Sequence, residues 1–150
     1  MDRLVPDIVR AISEGRKVHI RSPEAIRPWQ YVLEPLSGYL ALAERLFTKG
    51  SEYAEAWNFV PHDSDAKTVE WIVGRLCDRW PGAAGFEIDE GPKPHEASYL
   101  KLDCSKAISR IGWKPTWDLS TALGKIVDWN MALSRGEDVY AVSVRQIAEY

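Results

Sequence analysis

The 150 residues are enough for one domain with a real core, and an apolar content of 45% is that of an ordinary globular protein. The net charge is −3, with acids and bases interspersed and no basic block, which argues against nucleic acid or an anionic membrane as the main partner. There is no apolar run of membrane-spanning length and no N-terminal signal segment, so the expected location is the cytoplasm.

Leu4, Ile8, Ala11 and Ile12 recur at helical spacing, and Gly15 is placed to end that helix. The run KVHI (17–20) predicts a strand, and WQYVL (29–33) a second extended segment. Pro35 suits the first turn of a helix in which Leu36, Tyr39, Leu40, Ala43, Leu46 and Phe47 form one apolar stripe, closed by Lys49 and Gly50. EAWNFVP (55–61) reads as a strand and HDSD (62–65) as a turn. Val69, Ile72, Val73, Leu76 and Trp80 mark a helix stopped by Pro-Gly.

GFEID (85–89) predicts a strand, residues 90–98 a loop with two prolines, and YLKL (99–102) a further extended segment. Asp103 can cap a short helix carrying Ala107, Ile108 and Ile111, with Gly112 at its end. Ser120 is placed to cap another, which buries Leu123, Ile126, Val127 and Met131 and stops before Gly136. Ser143 and Gln146 have the spacing of a capping box, which predicts a last short helix. The class is α/β, mostly helical with several short strands and too few of them for a freestanding sheet.

Motifs for complete catalysis are missing. The ten glycines are scattered and form no dinucleotide fingerprint or phosphate loop, and no Tyr-x-x-x-Lys pair or nucleophile elbow is present. Cys77 and Cys104 read as reduced thiols, without metal-binding spacing to any histidine, so no metal is expected and no catalytic residue is assigned. Polar groups near turns remain. Arg27, between Ile26 and Pro28, has the planar fork that grips two phosphate oxygens, or makes a surface ion pair. His95, Glu96 and Tyr99 lie in or beside the proline-braced loop, either reaching a ligand or simply solvated. Arg3 at a helix start can face an anion or solvent, and Asn58 among apolar neighbours can serve a ligand or its own backbone.

Five segments carry a family resemblance: RLVPDIVRA (3–11), IRPWQYVLEPLSGYLALAERL (26–46), EAWNFVP (55–61), PHEASYLKLDCSKA (94–107) and IGWKPTWDLSTAL (111–123). Together they resemble the C-terminal portion of the CDP-glucose 4,6-dehydratases, nucleotide-sugar enzymes of the extended short-chain dehydrogenase/reductase, or NAD-dependent epimerase/dehydratase, family. Pro28 stands where many relatives have Asp, and Val60 replaces a usual Gly.

The resemblance implies that residues 1–150 form a single nucleotide-sugar-binding domain, an incomplete Rossmann-type fold. The NAD-binding N-terminal Rossmann half would lie outside this chain. It implies a lyase reaction that converts CDP-glucose to CDP-4-keto-6-deoxyglucose and water, in deoxysugar synthesis for surface polysaccharide such as lipopolysaccharide O-antigen. NAD would be held by the other half, and the chain alone would be inactive.

By the same resemblance, Arg3, Leu4 and Pro6 flank the nucleotide, Val18 and Ile20 belong to the strand along the base, and Arg27 contacts the diphosphate. His95, Glu96 and Tyr99 reach the nucleotide end, and Asn58 has a less definite place. The implied partners are CDP-glucose or CDP, and either a separate Rossmann half or a second copy in a homodimer. The alternatives are a non-catalytic nucleotide-binding or assembly module, or part of a related nucleotide-sugar epimerase or dehydratase.

Overall fold

The computed structural model describes residues 3–89, 100 and 102–150. Helix α1 (Leu4–Ser13) forms where the apolar spacing demands it, with Pro6 in the first turn and Ile8, Ala11 and Ile12 buried. Strand β1 (Val18–Ile20) follows, then β2 (Ile26–Pro28), α2 (Leu33–Lys49), β3 (Ala66–Thr68), α3 (Val69–Arg79) and β4 (Phe86–Ile88). The remainder is helical: α4 (Ser105–Ile111), α5 (Leu119–Ser134) and α6 (Val139–Glu149). The described residues thus bear out a mixed α/β class, mostly helical with a few short strands.

The described strands form two pairs. β1 and β4 run parallel, with Val18 opposite Phe86, His19 opposite Glu87 and Ile20 opposite Ile88. β2 and β3 run antiparallel, with Ile26 opposite Thr68 and Arg27 opposite Lys67. The main core joins α1, β1, α3 and α5 through Ile8, Ile12, Val18, Ile20, Ile72, Leu76 and Leu123. A second core packs Phe59, Ala107, Ile111 and Trp113 beneath α2.

Five expectations are corrected. The extended segment lies at 26–28, where β3 offers a partner, rather than at 29–33; the Trp29 indole instead donates to the Lys67 carbonyl at 2.9 Å. Residues 55–61 are not a strand, since no described strand lies alongside them. Their apolar character reflects burial of Phe59, Val60 and Pro61, and the Phe59 carbonyl accepts the Gln30 amide at 3.0 Å. The cap of α5 is Asp118, which accepts Thr121 N–H at 2.7 Å, while Ser120 lies inside the helix.

Similarly, α6 begins after Asp138, and Ser143 sits mid-helix, bonded back to the Val139 carbonyl at 2.7 Å. The cap position of α4 is Cys104 rather than Asp103, which lies one residue outside it and accepts the Ser105 N–H at 3.1 Å. The apolar stripe expected on α2 is present and points largely outward: Leu40 is 73% exposed and Phe47 92%. The segment expected to be extended at 99–102 falls mostly outside the described residues, although the Leu100 N–H meets the Ile26 carbonyl at 3.3 Å.

Candidate functional site: a basic groove beside the parallel strand pair

An open groove of about 930 Å³ lies between the start of α1, strand β1 and the β2 segment. Arg3, Leu4, Pro6, Val18, Ile20 and Arg27, six of the expected site residues, all line it. Asn58 does not; it is exposed, and its amide donates to the Asp103 carbonyl at 3.2 Å beside α4. His95, Glu96 and Tyr99 lie outside the described residues.

Strand alternation decides how β1 contributes. Val18 and Ile20 are 4% and 1% exposed, so their side chains belong to the main core and only their backbone edges reach the groove. The outward side chains of this segment are Lys17, His19 and Arg21, three groove-lining residues that the family resemblance did not single out. Period-two alternation around the two core aliphatics was the signal that would have found them.

Charge sets this groove apart from the acidic chain around it. Arg3, Arg10, Arg16, Lys17, Arg21 and Arg27 line it, against two carboxylates, Asp7 and Asp89. Arg10 pairs with Asp7 at 3.1 Å and Lys17 with Glu87 at 3.4 Å, both in exposed geometry that leaves the cations accessible. The Arg3 carbonyl accepts the Asp7 N–H at 3.0 Å, and its side chain sits in the groove lining. The Arg27 guanidinium donates through Nη1 to the Ile26 carbonyl at 2.9 Å, a contact that orients its plane. His19 Nδ1 stands 3.2 Å from Glu87 Oε1 and 3.3 Å from Asp89 Oδ1.

A second cleft of about 370 Å³ lies between the start of α2, α5 and α6. Its polar groups are internally satisfied: the Tyr31 hydroxyl donates to Gln146 Oε1 at 2.5 Å, and the Gln146 amide to the Lys125 carbonyl at 2.9 Å. The Trp129 indole likewise donates to Ser143 at 3.0 Å. No cation lines this cleft, so it offers nothing to an anion. No group of His, Cys, Asp and Glu among the described residues is arranged to hold a metal ion. No described helix is long and apolar enough to cross a membrane.

The basic groove has the charge to attract an anion and the room for a ligand of nucleotide size. No family model matches the chain. Over 149 residues it is 52% identical to the CDP-glucose 4,6-dehydratase of Salmonella typhimurium, a match that takes in 99% of this chain and 42% of that enzyme. The resemblance carried by the sequence is thus to part of a CDP-glucose 4,6-dehydratase, and the chain spans about two fifths of that relative's length.

Proposed function

We propose that these residues are the nucleotide-sugar-binding domain of a CDP-glucose 4,6-dehydratase, an extended short-chain dehydrogenase whose substrate is CDP-glucose. The supporting observation is that a sequence 52% identical to such an enzyme gathers Arg3, Leu4, Pro6 and Arg27 around one basic groove. In this reading Arg27 and Arg3 meet the diphosphate, and the backbone edge of β1 runs beside the base. His95, Glu96 and Tyr99 complete the nucleotide end. Fixing the non-reacting end of the substrate lets binding energy orient the distant sugar.

The described groove residues do not fit NAD. No glycine is among the described residues lining the groove, so it lacks the glycine turn that would let a pyrophosphate approach the backbone. The cofactor and the acid/base pair belong, in this account, to polypeptide outside these residues, and this chain alone does not turn over substrate.

The test is to combine the chain with the unmatched three fifths of the Salmonella relative and follow loss of CDP-glucose. Turnover that needs both parts supports the assignment. CDP binding without turnover in the mixture favours the second reading, a non-catalytic nucleotide-binding module, which the absent motifs make the natural competitor.

A further inference from the structure

Strands β2 and β3 set two cations face to face. Their antiparallel register puts Arg27 directly opposite Lys67, so both side chains leave the same face of the pair. Like charges in that position weaken a strand pair, because the two side chains start only about 5 Å apart. A fold keeps such a contact where its residues serve something other than stability. Arg27 lines the basic groove, and Lys67 stands beside it, just outside the lining.

What holds the Lys67 ammonium is weak. The residue is half-buried, and among the described residues its Nζ has no hydrogen bond or ion pair. Asp65, two residues earlier, is itself buried and takes a hydrogen bond from the Leu119 backbone. The ammonium instead lies 5.7 Å from the centroid of the Trp71 ring, near the limit of a cation–π attraction. Arg75 lies over the same ring at 5.3 Å, so Trp71 keeps a cation when Lys67 leaves it. A contact of that kind is weaker than a charge-assisted hydrogen bond to phosphate. The flexible four-carbon lysine stem makes the exchange a matter of side-chain rotation.

We propose that Lys67 is a diphosphate ligand: with a nucleotide in the groove, its ammonium turns from Trp71 to the phosphates that Arg27 grips. The anion then offsets the repulsion between the two cations, so ligand binding and β2–β3 pairing support each other. The inference rests on the proposed nucleotide-binding role of the groove, and it adds a residue that neither that role nor the groove lining includes.

The experiment is calorimetric titration of the 150-residue chain with CDP, for the wild type, for Lys67→Met, which keeps an apolar stem without the charge, and for Lys67→Arg. Lys67→Met should bind CDP about tenfold more weakly, and its affinity should fall less steeply with added salt. Its ligand-free melting temperature should equal or exceed that of the wild type, because the repulsion against Arg27 is gone. Lys67→Arg should keep its affinity within about threefold of the wild type. Undiminished affinity in Lys67→Met, or a loss that Lys67→Arg shares or that comes with a lower melting temperature, overturns the role of Lys67 while leaving nucleotide binding intact. Failure of the wild type to bind CDP overturns the groove reading itself, and this inference with it.

Discussion

Glu34 and Tyr150, 116 residues apart, share a hydrogen bond of 2.9 Å between carboxylate Oε2 and phenol. Glu34 is fully buried, and it also accepts the backbone N–H groups of Thr116 and Trp117, at 2.9 and 2.7 Å. Ser37 joins the same network through Tyr150 and the Trp113 indole, so one carboxylate ties α2, the loop before α5 and the end of α6. Glu34→Ala strands two backbone donors and should cost about 3 kcal/mol in chemical denaturation, against about 1 kcal/mol for Tyr150→Phe. Burial, the largest cause, pushes the Tyr150 phenol above its ordinary range. Its contribution to stability is therefore complete below the ordinary phenol range and is lost as pH rises through the higher folded value.

Gly38 faces the Phe59 ring so closely that a Cβ there would lie well inside contact distance. The ring has little room to yield, being edge-on to both Trp113 and Tyr39 at 5.0 and 5.6 Å between centroids. Gly38→Ala should lose about 2 kcal/mol despite the better helix propensity of alanine. Adding Phe59→Leu should recover part of that loss, as a double-mutant cycle would show.

Two aspartates serve the start of α5 with opposite titration behaviour. The side-chain bond to Thr121 holds Asp118 below the usual carboxylate range. Burial, outweighing a hydrogen bond from the Leu119 backbone, pushes Asp65 above it. A depressed carboxyl stabilises above its unfolded value and loses that effect on acidification, whereas a raised one weakens the fold as pH climbs through its folded value. Asp118→Ala should thus cost about 1 kcal/mol at neutral pH, and the difference should vanish in acid. Asp65→Asn should be the more stable form at neutral pH and match the wild type once both are acidified. Melting temperatures across the acid range check both signs.

Helix α2 is apolar on two faces. Gly38, Ala41 and Leu42 turn towards Phe59, while Leu36, Leu40, Ala43 and Phe47 point outward. An exposed apolar stripe of this length favours association. The chain alone should self-associate with rising concentration, and Leu40→Glu/Phe47→Glu should leave a monomer with an undiminished melting temperature. Light scattering decides; a monodisperse wild type contradicts the expectation.

Much of the fold was legible because periodicity and local punctuation agree. Leu4, Ile8 and Ile12 marked α1, Val69 to Leu76 marked α3, and Gly112, at φ 79°, ended α4 as a residue without Cβ can. Strand pairing was less legible, because an apolar run such as Trp57 to Pro61 gives burial without naming a partner. Caps misled where a polar residue inside a helix, Ser120 or Ser143, imitated one at its start. Arg3 and Arg27 were readable as candidate anion ligands, while Lys17, His19 and Arg21 were hidden by attention to their aliphatic neighbours on β1.

The groove itself is tested most directly by following backbone amide resonances of the isotope-labelled chain as CDP is added, alongside Arg27→Ala. The account predicts that shifts centre on Leu4, Val18, Ile20 and Arg27, leave Asn58 and the Tyr31–Gln146 cleft unmoved, and need at least about tenfold more CDP in the variant. Shifts centred on that cleft, or a variant that titrates like the wild type, would contradict it.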